Sequence, residues 1–228
     1  MSGSLSVIAS GTQNVDGLLS GVKWDKTIVA TLTYSFPGLA GAYADTTDYL
    51  EATDPSFAQI SAQQQVAARD ILGGATGYTP LFTYGSFASL IDYTFANVAS
   101  PGAGADTAIM RLAVTNGNGN NTASAYYPTD IEASPTGDPS GGDSWYSTND
   151  NFSAPTPGDY AWIAHIHEFG HAMGLKHGHE TGGPSNTAMT ADRDSMEFTV
   201  MTYRSFVGHD SGGGVVNETY GYAQTLMT

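Results

Sequence analysis

The chain has 228 residues, enough for one domain, or a domain with a small lobe, to bury a core without covalent staples. It contains no cysteine, which excludes disulfides, thiolate metal ligands and a thiol that could cap a metal. Seven basic residues against 22 acidic ones give a net charge of −15, which repels a phosphate backbone and excludes nucleic acid as a partner. The acidity itself has two readings: solubility, and calcium binding, because carboxylates and loop carbonyls suit a hard cation. No apolar run is long enough to cross a bilayer, so a membrane partner is not expected, and Met1 to Ser10 lacks the basic start and long apolar core of a secretory signal.

In chain order, residues 1–20 are small, polar and glycine-punctuated and read as a loose arm. Thr27 to Phe36 is rich in β-branched and aromatic residues and reads as a strand, closed by Pro37-Gly38. Asp54-Pro55 offers an N-cap followed by proline at the first helical position. The expected helix runs to Leu72, stops at Gly73-Gly74 and buries Phe57, Ile60, Ala67 and Ile71. Ser89–Val98 and Thr107–Val114 read as two further strands, and the Asn- and Gly-rich run 115–121 as a loop. Short strands come next at Ser124–Tyr127 and Asp143–Ser147, and a second helix runs from about Gly158-Asp159 to Met173. Beyond His177 the composition is that of loops, and Asp210 to Gly214 hints at a calcium-binding turn. Strand, helix, strands, helix and then loops predict an α+β domain: a twisted, mostly parallel sheet with two main helices and a loop-rich C-terminal part.

The second helix carries the most specific signal. His167-Glu168-Phe169-Gly170-His171-Ala172-Met173-Gly174-Leu175-Lys176-His177 matches H-E-x-x-H-x-x-G-x-x-H at all five fixed positions. Residues four apart share a helix face, so His167 and His171 can aim at one metal. Gly174 permits a left-handed exit from the helix, and the returning chain can bring His177 as third ligand. Three protein ligands leave a fourth position open, as in catalytic zinc sites. Glu168 stands beside the first ligand, placed to act on water as a general base. After this motif the expected next element is a methionine turn, and Thr199-Val200-Met201-Thr202-Tyr203 supplies one. Met201 would give the ligands an apolar floor, and the Tyr203 phenol could bind the metal or donate to an oxyanion. His165 and His179 fall outside the ligand pattern, and His209 has no evident partner. Asp192, Asp194 and Glu197 crowd the loop before Met201, where they could hold a ligand imidazole or calcium.

The long zinc motif with Val200-Met201-Thr202-Tyr203 resembles the metzincin metalloproteases. Gly17 to Trp24, Leu32 to Pro37, Met201 to Phe206 and Tyr222 to Met227 resemble serralysin-type catalytic domains, so the likeness runs from about residue 17 to the end. The resemblance implies a metzincin-like catalytic domain over 17–228, with 1–16 as a flexible arm or pro-segment remnant. It implies a zinc-dependent endopeptidase that uses a metal-activated water and Glu168 as general base. Its substrate would be an extended peptide or unfolded protein, paired with an edge strand at Ser124, Ala125 and Tyr126. It also implies secretion by type I export and a C-terminal calcium-binding β-roll, which this chain would lack together with its last helix. Its own C-terminal domain, as a separate chain, would then be a partner. The family's usual proline after the third histidine is Gly178 here. Two rival readings stand beside the peptidase: a non-catalytic zinc-containing binding or surface-protein module, and a protease fragment that needs its C-terminal partner chain.

Overall fold

The computed structural model describes residues 3–44, 49–73, 85–129 and 138–208. Its strands are β1 (Ser4–Ser6), β2 (Val22–Trp24), β3 (Thr31–Ser35), β4 (Ala58–Gln59), β5 (Thr94–Asn97), β6 (Met110–Val114), β7 (Ala123–Ala125) and β8 (Ser144–Tyr146). Two longer helices are α1 (Ala62–Gly73) and α2 (Tyr160–Ala172). The main sheet has the order β5-β3-β6-β8-β7, with β4 also paired to β6. The β3–β5, β3–β6 and β6–β8 pairs are parallel, and β7 and β4 pair antiparallel. The domain is therefore α+β with a mostly parallel sheet, as expected.

Two cores lie on opposite faces of this sheet, and the period-2 alternation of its central strands assigns side chains to each. Met110 and Leu112 of β6 and Tyr146 of β8 join Leu32, Tyr34, Ile71, Leu72, Trp162 and Phe169 in the larger core. Ala113 and Trp145 face the other way, into a smaller aromatic cluster with Tyr43 and Tyr49. Helix α2 packs against α1, β7 and β8. It is buried along nearly its whole length, including His165, His167, Glu168 and His171. A helix that presents no solvent face holds its side chains in fixed surroundings, which is what a metal site on it needs.

Several elements are shorter than the sequence suggests, and local hydrogen bonding explains why. The β3 strand begins only at Thr31, because the Asp25 carboxylate turns the preceding chain by accepting from the backbone and hydroxyl of Thr27. A helical turn, Phe87–Leu90, occupies the start of the expected strand at 89–98. Helix α1 starts at Ala62, eight residues after Asp54. Asp54 is spent on a local turn, accepting from the Ser56 backbone and hydroxyl. The true start is a capping box: the Ser61 hydroxyl accepts from the Gln64 backbone N–H at 3.0 Å, and the Gln64 amide oxygen accepts from the Ser61 N–H at 2.9 Å. Ala67 and Ile71 then sit in the core as expected, whereas Ile60 reaches it from outside the helix and Phe57 packs with the aromatic cluster.

Residues 3–25 are tied to the domain rather than loose. Strand β1 pairs antiparallel with β2. Leu19 bridges Leu175, and the Lys176 ammonium, buried at 4% exposure, donates to the carbonyls of Gly17, Glu180 and Thr187. These contacts join the N-terminal segment to the chain that leaves α2. No helix among the described residues is long and apolar enough to cross a membrane.

Candidate metal centre

The Asp159 carboxylate starts α2 by accepting from the backbone N–H groups of Trp162 and Thr156, at 2.7 and 2.8 Å. Thirteen residues of helix then place His167 and His171 one turn apart, with ring centroids 4.7 Å apart. The helix ends at Ala172 with Met173 as its C-cap, and Gly174 leaves it at φ 98°. Glycine is required there twice over: the angle disfavours a side chain, and a Cβ would strike the Val22 carbonyl oxygen. The turn carries the chain back over the helix end and brings His177 to the other two histidines.

The three rings converge through the same atom. Nε2 of His177 lies 3.0 Å from Nε2 of His171 and 3.1 Å from Nε2 of His167. The opposite nitrogens decide which tautomer each ring adopts. Nδ1 of His167 donates to the Val200 carbonyl at 2.6 Å, and Nδ1 of His171 to the Leu175 carbonyl at 2.7 Å. A carbonyl can only accept, so both protons sit on Nδ1 and both Nε2 atoms present bare lone pairs. Nδ1 of His177 donates to the Glu180 carboxylate at 2.9 Å, with the same consequence. Burial holds all three imidazoles neutral. It pushes His167 down to about 3 and, with the nearby His177, His171 to about 4; His177 is also lowered, chiefly by burial.

Three lone pairs aimed at one another repel unless a cation lies among them. Four-coordinate zinc, with bonds of about 2.0–2.1 Å, sets its ligands roughly 3.3 Å apart, close to the spacing here. The Tyr203 hydroxyl lies 2.7 Å from Nε2 of His177, so the phenol reaches the same point. Three imidazoles and an oxygen form a donor set suited to zinc.

Glu168 shares the helix turn but does not join the triad. It is 5% exposed, and its Oε2 has no hydrogen-bond partner. Burial lifts its carboxyl to about 8. Such an orphaned acceptor beside three lone pairs fits a site whose chemistry is completed by a cation and its solvent. Tyr203 is likewise raised, first by burial and then by the Glu168 charge.

Met201 is fully buried under α2. Its sulfur lies where a Cβ on Gly170 would stand, so the glycine inside H-E-F-G-H makes room for the methionine. The Gly178 N–H donates to the Met201 carbonyl at 2.8 Å, a bond that proline at this position could not make. A Cβ on Gly178 would also meet Asp194 Oδ1 and the Met189 sulfur at 2.5 and 2.8 Å. Gly178 thus joins the loop after His177 directly to the methionine turn.

The remaining candidates separate clearly. Ser124 and Ala125 lie on β7 and Tyr126 just beyond it, and β7 ends the described sheet. The Tyr126 hydroxyl is committed to Glu51 at 2.5 Å. His165 is wholly buried, its Nδ1 bound to the Ala161 carbonyl and its ring stacked on Tyr146, away from the triad. Asp192, Asp194 and Glu197 do not hold a ligand imidazole. Asp194 pairs with Arg204 at 3.2 Å, Asp192 lies 3.8 Å from Arg193, and Glu197 accepts from the Val207 N–H. The carboxylate on a ligand ring is Glu180, which sequence reasoning passes over; a carboxylate three residues after the third histidine is the available signal. Burial alone would raise Glu180, but its hydrogen bond to His177 and nearby imidazoles outweigh that and hold it below its ordinary value. Tyr127, edge-on to His171 with centroids 5.7 Å apart, is a second neighbour that the motif does not announce. His209 and the 210–214 turn lie outside the described residues.

With this geometry in place, the comparisons with known proteins agree in kind. Serralysin C of Dickeya chrysanthemi is 32% identical over 108 residues, 42% of this chain and 21% of the relative. Metalloprotease AprA of Pseudomonas entomophila (strain L48) is 32% identical over 127 residues, 53% of this chain and 24% of the relative. Serralysin A of Dickeya chrysanthemi is 33% identical over 105 residues, 42% and 20% of the two chains. This chain is similar, over part of its length, to serralysin-type metalloproteases. The matched segments span only about a fifth to a quarter of those relatives. No protein-family model matches the chain.

Proposed function

We propose that the chain is a zinc-dependent endopeptidase of serralysin type, with a metzincin-like catalytic domain over 17–228. The observation that carries this reading is the convergence of three bare Nε2 atoms, backed by fixed acceptors, beside an orphaned buried carboxylate. His167, His171 and His177 would hold zinc, with Tyr203 as the further ligand at rest. Zinc bound there supplies Lewis acidity, acidifying water and polarising a carbonyl.

The residues around that point have separable tasks. Glu168 takes the proton from water as it attacks the peptide carbonyl and returns it to the departing nitrogen. Burial suits it to both steps, because a raised proton affinity makes a stronger base and a cation nearby draws it back toward ionisation. The Tyr203 phenol donates to the oxygen on which negative charge develops. Raised by burial, it keeps its proton and so remains a donor. Met201 keeps the floor of the site apolar and α2 fixed. An extended peptide or unfolded protein segment adds along Ser124 to Tyr126 to the side of β7 that no strand among the described residues covers, so main-chain hydrogen bonds hold it with little regard for sequence. Secretion, calcium binding and a β-roll as a C-terminal partner extend this reading from the resemblance alone.

A purely structural zinc site is a poorer fit. Such sites close all four positions with protein ligands and need no base, whereas here the buried Glu168 carboxylate keeps an unpartnered oxygen beside the triad. The test is Glu168→Ala in the zinc-loaded chain with casein as substrate. Zinc stoichiometry should be unchanged and cleavage should fall by about 10²–10⁴-fold; retained turnover would remove Glu168 from its role.

A further inference from the structure

The third ligand differs from the first two in what stands behind it. His167 and His171 are backed by main-chain carbonyls that cannot leave. His177 is backed by Glu180, whose side chain is 41% exposed, and beside both lies the solvent-exposed ring of His179. One donor atom from each of His177, His179 and Glu180 falls within 4.8 Å of the others. The His179 ring stacks on His177 at 5.5 Å and 16°, and lies 5.3 Å from the ring of Tyr203. An imidazole and a carboxylate beside each other, both reachable from solvent, form a donor pair for a borderline divalent cation.

We propose that His179 and Glu180 form a second, weaker zinc site on the outer side of the triad. This inference rests on the metal-centre reading above. The site uses His179 through a ring nitrogen and Glu180 through its carboxylate, with water completing the coordination. His177 does not ligate the second ion, because its Nδ1 carries a proton and its Nε2 faces the first. Donors within 4.8 Å need close by only about 1–2 Å to reach zinc-ligand spacing, and both side chains are exposed enough to move.

The two sites are coupled through one carboxylate. When Glu180 binds the second ion, it gives up its hydrogen bond to Nδ1 of His177. Partners of this kind orient a ligand ring and raise its basicity, so the first site loses the support of its third ligand. Excess zinc therefore inhibits the same chain that stoichiometric zinc activates. The surrounding groups favour this competition: both oxygens of Glu180 already accept from His177, at Nδ1 and at the backbone N–H, and the buried ammonium of Lys176 is occupied by three carbonyls.

The test titrates the metal-free chain with zinc chloride by calorimetry, and repeats it on His179→Ala. The wild-type chain should bind two equivalents, the second more weakly. His179→Ala should keep the first and weaken the second at least tenfold, with an unchanged melting temperature as the check on folding. Peptide cleavage at several equivalents of zinc should fall in the wild-type chain and persist in His179→Ala. One equivalent only, or a second equivalent indifferent to His179→Ala, overturns this site and leaves the metal centre standing. Failure to bind any zinc overturns both readings.

Discussion

Two buried polar clusters lie on either side of the sheet, and they are built on opposite principles. On the aromatic side, Arg111 and Asp143 are 1% and 0% exposed and form a two-point pair at 3.0 and 2.8 Å. The Arg111 backbone N–H and the Tyr49 hydroxyl also donate to Asp143. The guanidinium reaches the carbonyls of Ala42 and Pro139 and lies over the Tyr43 ring. These polar atoms point at one another, so the network is closed. In the histidine cluster the rear nitrogens are held by two carbonyls and a carboxylate, while the front ones share a focus that the Tyr203 hydroxyl also reaches. A closed network gives a fixed fold; a cluster with acceptors behind and lone pairs in front is prepared to receive a ligand.

That contrast sets the order of the expected effects. The largest is on the closed side. Asp143→Ala leaves a guanidinium buried without its counter-charge and should cost about 3–5 kcal/mol in urea unfolding. Replacing both partners with apolar residues of similar volume should cost far less, or nothing. If the single variant proves as mild as the double, the pair is not the closed unit described.

On the open side, stability should depend on metal instead. Chelation should lower the melting temperature, by the equivalent of about 4 kcal/mol when free zinc had stood near 1,000 times its Kd. Calorimetry with and without EDTA measures this, and an unchanged transition would mean that the triad binds nothing when folded. Tyr203→Phe removes the donor to the oxyanion while keeping the ring. It should lower kcat by about 10²–10³-fold, with KM within a few-fold. A rise in KM alone would recast the phenol as a substrate contact. The smallest effect divides the open cluster itself: Glu180→Ala should weaken zinc by about 10–100-fold, read by competition with a chromophoric chelator. The two carbonyl-backed histidines have no side-chain counterpart to remove.

The same contrast governs what the sequence reveals. The triad is local: one helix turn and one glycine exit connect His167, His171 and His177, so the spacing alone foretells their meeting. Met201 and Tyr203 are legible because the zinc motif creates the expectation of a methionine turn downstream. Glu180 escapes notice because Asp192, Asp194 and Glu197 make a denser acidic run, yet Arg204 and the Val207 N–H engage two of them. Arg111 and Asp143 lie 32 positions apart and meet only because β6 and β8 pair in parallel, a register no local pattern encodes. Asp54-Pro55 imitates a helix start and so draws the expected beginning of α1 too early. The Ser61–Gln64 box, the stronger signal, stands seven residues further on. The polarity of residues 1–20 suggests a loose arm, whereas backbone pairing and the Lys176 contacts hold its described part, from residue 3 on.

The central claim is that three imidazoles meet on one ion through Nε2. X-ray absorption at the zinc edge of the chain loaded with one equivalent tests it most directly. The predicted result is a first shell of three imidazole nitrogens and one oxygen at about 2.0–2.1 Å, reduced by one nitrogen in His177→Ala. A shell of oxygens alone, or one unchanged by His177→Ala, would contradict it.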